Sequence, residues 1–228
     1  MRRWNRTLPG GVRTCMRTQR FVCSAVAAAA LLLTASPAGQ ASTNSDQVLT
    51  RLIAANGGLR SFTANVNADV VMHSFPFLTA NLAGIYYHKE PSKDKIVFTS
   101  GLPFIAKQFS NVYPHVESPA RWHDVYDIAV EREDGTYTTF KLVPRSPGRI
   151  DHIDAKVGNN SGELAQLRWN YTDGSYATLN QTYGKVGAYR LVTRETGHFE
   201  NPNYNADLSS TFSNFKVNVA IPDSIFNS

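Results

Sequence analysis

The sequence predicts a mostly β, antiparallel domain carried behind an export signal. Three observations predict it. Apolar residues alternate with polar ones from Phe62 almost to the C-terminus, two Asp-Gly pairs fall between alternating segments, and charge and hydropathy change character near residue 41.

Residues 1–41 carry six arginines (Arg2, Arg3, Arg6, Arg13, Arg17, Arg20) and no acid. The uncharged run Val22 to Leu33 that follows has the length of a signal-peptide core and is too short to span a bilayer as a helix. Small residues then gather at Ser36-Pro37-Ala38-Gly39-Gln40-Ala41, so cleavage is expected after Ala41, with Ala38 as the other fitting site. Met16 offers an alternative start with a compact basic head. Both cysteines, Cys15 and Cys23, lie in the segment to be removed, which leaves the mature chain without thiol or disulfide chemistry. Cys23 precedes the apolar run instead of following it, which argues against lipidation. Losing the six arginines leaves 17 of the 23 basic residues against all 18 acidic ones. The net charge falls from +5 to about −1, and the case for a nucleic-acid partner disappears. Residues 42–228, about 187 in number, suit one domain that buries a core without staples.

A short helix opens this domain. Asn44 or Ser45 suits its cap, Val48, Leu49, Leu52 and Ile53 form its apolar stripe, and Gly57-Gly58 ends it. The period then changes to two. Phe62, Ala64, Val66, Ala68, Val70 and Met72 alternate with Thr63, Asn65, Asn67 and Asp69, and Leu78, Ala80, Leu82, Gly84 and Tyr86 repeat the device after Pro76. Gly84 suits a bulge or a sharp bend. Lys95–Thr99 reads as a third strand. Tyr126–Val130 and Thr138–Leu142 flank Glu133-Asp134-Gly135-Thr136, and Leu167–Tyr171 and Tyr176–Gln181 flank Thr172-Asp173-Gly174-Ser175, two hairpins with Asp-Gly turns. Strands are also expected around 150–157, 189–196 and 209–218, giving nine to eleven in all. Successive hairpins without interspersed helices exclude a parallel α/β sheet.

The stretch from Ser100 to Arg121 departs from this rhythm. Gly101 to Phe109 is apolar without period two, and Pro103, Pro114 and Pro119 punctuate it. A short helix or two crossing the sheet fits it, as does an ordinary packed connection.

Catalytic and metal signatures are missing from the sequence. Six histidines (73, 88, 115, 123, 152, 198) are scattered. The tightest groupings, His123 with Asp124 and Asp127, and His152 between Asp151 and Asp154, lack ligand spacing for a strand. No Gly-x-Ser-x-Gly elbow, phosphate-binding glycine loop or HExxH occurs. Glu131 and Glu133 read as solvent-facing hairpin residues. The sequence therefore predicts no enzyme, no cofactor and no metal. What it does supply is aromatic inner faces: Phe62, Tyr86, Phe98, Phe140, Trp169, Tyr171, Tyr176, Phe212 and Phe215. Such residues form either a filled core or the wall of an apolar pocket, and periodicity does not separate the two.

Several segments, in order, resemble the LolA-like family of periplasmic carriers of outer-membrane lipoproteins and related lipid-handling proteins. They are Leu59-Arg60-Ser61-Phe62-Thr63-Ala64-Asn65 after the short helix, Leu82-Ala83-Gly84-Ile85-Tyr86-Tyr87, the Trp169–Ser175 hairpin, and Phe212-Ser213-Asn214-Phe215-Lys216-Val217-Asn218 leading to Ile221-Pro222-Asp223-Ser224-Ile225-Phe226. The resemblance implies a single antiparallel sheet curled into an unclosed half-barrel under a helical lid, holding lipid or the acyl chains of a lipoprotein without catalysis. It implies cavity-lining roles for Phe62, Val66, Val70, Leu78, Leu82, Tyr86, Phe98, Phe140, Trp169 and Tyr171, and lid roles for Leu102, Phe104, Ile105 and Phe109. A monomer, exported to a periplasm or beyond and serving membrane donor and acceptor proteins, follows from the same resemblance. Two departures stand out: no arginine lies between Ser61 and Tyr87, where the family's carriers place one that bonds to the lid, and Tyr113–Arg149 resembles the family least. A β-rich interaction module with a filled core, or a hydrolase using His123 or Asp127, are the competing classes.

Overall fold

The computed structural model describes residues 40–74, 78–100, 114–202 and 205–227, all within one compact unit, Ala38–Ser228. The expected lid residues Leu102, Phe104, Ile105 and Phe109, and the expected signal peptide up to residue 39, lie outside the described residues.

Helix α1 spans Gln40–Ala54. It begins before the expected caps, so Asn44 and Ser45 sit within it. Asn44 there donates to Glu133 on a distant strand, and Ser45 is buried, so tertiary contacts hold these residues in the helix where local capping preference would place them at its start. Val48 and Leu49 face the sheet. The helix ends before Gly58, whose φ of +86° only glycine adopts without strain.

Ten strands follow: β1 (Ser61–Met72), β2 (Thr79–Lys89), β3 (Lys93–Ser100), β4 (Tyr126–Glu133), β5 (Tyr137–Pro144), β6 (Ile150–Gly158), β7 (Leu164–Tyr171), β8 (Tyr176–Val186), β9 (Tyr189–Glu200) and β10 (Asn205–Val217). They form one antiparallel sheet in the order β3-β2-β1-β10-β9-β8-β7-β6-β5-β4, which does not close into a barrel. Every neighbour is a sequential hairpin except β1 with β10, which join the two ends of the domain at the sheet's centre. The free edges are β3 and β4, and the chain passes directly from one to the other. The joining residues, 101–125, are described from Pro114 onward. Their described part holds a 3₁₀ turn at Pro119–Arg121 and a one-turn helix at Trp122–Val125. Edge strand β4 exposes Asp127, Glu131, Arg132 and Glu133, charges that discourage pairing with another chain.

The alternation in β1 appears as burial: Ala64, Val66, Ala68 and Val70 are buried, and Asn65, Asn67 and Asp69 are exposed. Val48, Leu49, Trp122 and Tyr126 pack with sheet residues such as Phe140, Leu142, Ile153, Val157, Leu167 and Phe199 into one core. Trp122 is fully buried, donates its indole N–H to the Glu117 carbonyl at 2.8 Å, and meets Phe140 edge-on at 6.4 Å. A bulge interrupts β2–β3, where Ala83 faces Ser100 and Gly84 faces Phe98, leaving Thr99 over. A Cβ on Gly84 would lie 2.5 Å from the Val97 carbonyl oxygen, so only glycine allows this approach. At the C-terminus Asp223 binds Lys89 at 2.9 Å and Lys93 at 2.8 Å, tying the final 3₁₀ turn to the β2–β3 hairpin. These two ammonium groups hold the Asp223 carboxyl down at about 2.

Candidate functional site

The core fills only part of the sheet's inner face. A cavity of about 990 Å³ remains beside it. Its apolar wall draws on the helix and on strands other than β4, β5 and β6: Leu52 and Ile53 of α1, Phe62 of β1, Ile96 and Phe98 of β3, Leu164 and Leu167 of β7, Leu179 of β8, Leu191 of β9 and Phe212 of β10. Val116, Pro119 and Trp122 of the edge-to-edge segment complete it. The volume lies at the upper end of small-molecule sites, and an aliphatic wall of this kind favours apolar ligands.

Polar and charged residues, Glu90, Lys95, Glu117, Glu163 and Arg190 among them, share the lining, and two hydrogen-bonded groups stand out. At the β2–β3 end Asp94 accepts hydrogen bonds from the Tyr86 hydroxyl and from His88 Nδ1 (2.8 Å), with His115 Nδ1 at 3.5 Å from its other oxygen. Burial alone would raise the Asp94 carboxyl, but the His88 and Tyr86 hydrogen bonds hold it below the usual range. Burial would lower His88, yet the same bond to Asp94 leaves the imidazole raised. Burial, followed by the nearby Asp94 charge, pushes the Tyr86 phenol well up.

The second group sits on β8–β9. Gln181 and Glu195 are register partners, and the Gln181 amide donates to Glu195 Oε1 at 2.9 Å. The single Tyr183 hydroxyl proton is shared between Gln181 Oε1 (3.1 Å) and the Leu164 carbonyl (3.2 Å). Glu195 faces the cavity with protein packed around it, and burial pushes its carboxyl up to about 7 against the lowering effect of Gln181.

Of the ten residues expected to line a cavity, the structure brings Phe62, Tyr86, Phe98 and Trp169 to this wall. Val70, Leu82, Phe140 and Tyr171 sit in the packed core, Leu78 packs against it, and Val66 is buried. The inner face thus holds both a core and a cavity: β4, β5 and β6 contribute to the core alone, and β2 and β7 contribute to both. Tyr176 takes the outer face instead of the expected inner one: Ala177 and Leu179 point inward, and Tyr176 stacks under Arg168 at 4.0 Å. Leu164, Leu167, Leu179, Leu191 and Trp122 also line the wall; of these only Leu167 shares strand and sequence parity with the expected Trp169 and Tyr171, whereas Leu164 lies next to a register shift between β6 and β7.

The histidine groupings do not assemble a site. His123 is exposed, and Asp127 pairs with Arg145 at 3.0 Å. His152 bonds Asp151 and Asn170 on the outer face. No cluster of three metal-ligating side chains occurs among the described residues. Glu131 is exposed, and Glu133 is the acceptor of Asn44.

One ten-stranded antiparallel sheet, not closed into a barrel and accompanied by short helices, defines a LolA-like fold. Solved structures show the same architecture. A LolA superfamily protein from Nitrosomonas europaea superposes with a TM-score of 0.50 at 12% identity, covering 80% of this chain and 97% of that one. A domain described as an outer membrane lipoprotein-sorting protein from Vibrio parahaemolyticus gives 0.53 at 11% identity over 79% and 95%. A DUF1329 family protein from Desulfovibrio piger gives 0.52 at 10% identity over 81% and 96%. At these identities the likeness is one of fold. No family model and no curated protein matches the chain.

Proposed function

We propose that this chain is an exported, non-catalytic carrier that shelters lipid, or the acyl chains of a lipoprotein, in the cavity and shuttles them across the envelope between membrane donors and acceptors. The observation that carries this reading is the 990 Å³ aliphatic cavity left unfilled beside a well-packed core. Each methylene moved from water into such a wall contributes roughly 0.8 kcal/mol, so six sheltered methylenes amount to roughly 5 kcal/mol. Retention by apolar burial needs no covalent step. The fold supports such exchange without closure of the sheet, because β3 and β4 remain free edges.

Native mass spectrometry with organic extraction, on protein expressed with its N-terminal segment, tests the reading. Lipid adducts are expected, lost in Phe98→Asp with the circular dichroism unchanged. Leu142 is fully buried in the core, so Leu142→Ala instead costs about 2–5 kcal/mol and leaves the wall in place. A clean apo mass, together with failure to take up a neutral polarity-sensitive dye, would sink the carrier reading and favour a filled interaction module.

A further inference from the structure

The carboxyls around the cavity differ in how they are balanced. Asp94 has His88, His115 and Tyr86. Glu163 has Arg190 at 2.7 Å, and Glu117 has Arg121 at 3.2 Å. Glu195 has only a neutral amide, Gln181, and among the described residues no cation pairs with it. Its charge raises the phenols Tyr86 on β2 and Tyr183 on β8, which bring no positive charge. Of the cations in the cavity lining, Lys95 on β3 and Arg190 on β9, Arg190 is paired with Glu163 and neither forms an ion pair with Glu195. Gln181 uses its carbonyl on Tyr183 and its N–H₂ on one Glu195 oxygen, so the second carboxyl oxygen is left for a donor from the cavity side. An unpaired carboxylate in an aliphatic wall is costly unless something supplies charge or hydrogen bonds to it.

We propose that Glu195, braced by Gln181 and Tyr183, is the headgroup subsite of the cavity and takes a protonated amine, so that the cargo is an amino-bearing amphiphile. This rests on the carrier reading. A cationic head would supply the missing partner of Glu195 while the chain lies along Leu179, Leu191 and Phe212. A free fatty acid would place a second carboxylate against it and be disfavoured.

Competition against a neutral polarity-sensitive dye tests this with three probes of equal chain length: dodecylamine, dodecanol and dodecanoate. At pH 8 dodecylamine is expected to displace the dye at about tenfold lower concentration than dodecanol, as for a charge-assisted hydrogen bond, with dodecanoate weakest. The amine advantage shrinks as the pH is taken from 8 to 5.5, because Glu195 gains its proton while the amine stays charged. Glu195→Gln keeps dye affinity and brings the amine-to-alcohol ratio close to one. Equal displacement by amine and alcohol in the wild-type protein, or an unchanged ratio in Glu195→Gln, overturns the subsite and leaves the carrier reading standing. Failure of the dye and all three probes to bind overturns both. The wild-type pH series decides the matter even if the variant does not fold.

Discussion

Replacing Glu195 by Gln should stabilise the protein, and only above mildly acidic pH. The glutamate carboxyl titrates at about 7 in the fold and near 4.5 when the chain is unfolded. A group raised in this direction makes the folded state bind the extra proton between those values. Stability therefore falls as pH rises from about 4.5 to about 7 and is flat beyond. The shift corresponds to roughly 3 kcal/mol at pH 8, an upper bound because water entering the cavity relieves part of the desolvation. Gln has almost the same shape and keeps an acceptor for the Gln181 amide, so it removes the charge without leaving a void. The two proteins should match near pH 4. At pH 8 the variant should melt higher by up to roughly 6–12 °C, using 2–4 °C per kcal/mol for a domain of this size. His88 and Asp94 titrate in both proteins and cancel in the difference. Taken alone, the raised imidazole stabilises below about 6.5 and loses this as pH climbs, while the lowered carboxyl stabilises above about 3.8 and loses it on acidification. Scanning calorimetry of both proteins from pH 4 to 8, without ligand, measures the difference. A variant less stable at pH 8, or an offset independent of pH, would refute the assignment of Glu195 as an unpaired carboxyl in the cavity wall.

Two other perturbations test how the cavity is covered and framed. Trp122→Ala removes a fully buried ring and an indole hydrogen bond, and should cost about 3–5 kcal/mol in urea unfolding while speeding dye exchange; a loss below about 1 kcal/mol would mean that this segment is not anchored there. Gly84→Val drives a side chain into the Val97 carbonyl and the Phe98 backbone, so a loss of about 1–3 kcal/mol is expected. Amide exchange should quicken in β3 and remain slow in β6 and β7, and uniform protection would count against the close approach.

The strands were legible because each carries its own local signal. The alternation at Phe62–Met72 and the Asp-Gly pairs at 134–135 and 173–174 depend on neighbours in sequence, and they reappear as β1 and as the β4–β5 and β7–β8 hairpins. In the second turn Gly174 takes a φ of +82° while Asp173 accepts from the Ser175 backbone, which is why that pair signals a turn. The division between core and cavity carries no such signal. Leu82 and Tyr86 lie on one strand, four residues apart with the same parity, yet one is buried in the core and the other meets the cavity. What separates them is how far α1 and Trp122 reach along the sheet. That is a tertiary fact, set by contacts between residues 48, 122 and 140 that no window of sequence contains.

The same reasoning explains why Glu195 escaped notice. In β9 it stands between Arg194 and Thr196, and it reads as an ordinary charged residue in a polar stretch. Its register with Gln181 points it inward, where it shares the cavity wall with Leu179, Leu191 and Phe212 and burial strips part of its water away. A filled core would not retain an unpaired carboxyl, since protein interiors either pair such a group or replace it with an apolar one. A cavity wall can keep it at a cost, because the carboxyl takes up a proton in place of a partner when the site is empty and would be paired by a cationic head. Glu195 and the unfilled volume are thus two views of one property, and a headgroup-blind carrier would need neither Gln181 nor Tyr183 to hold that carboxyl in place.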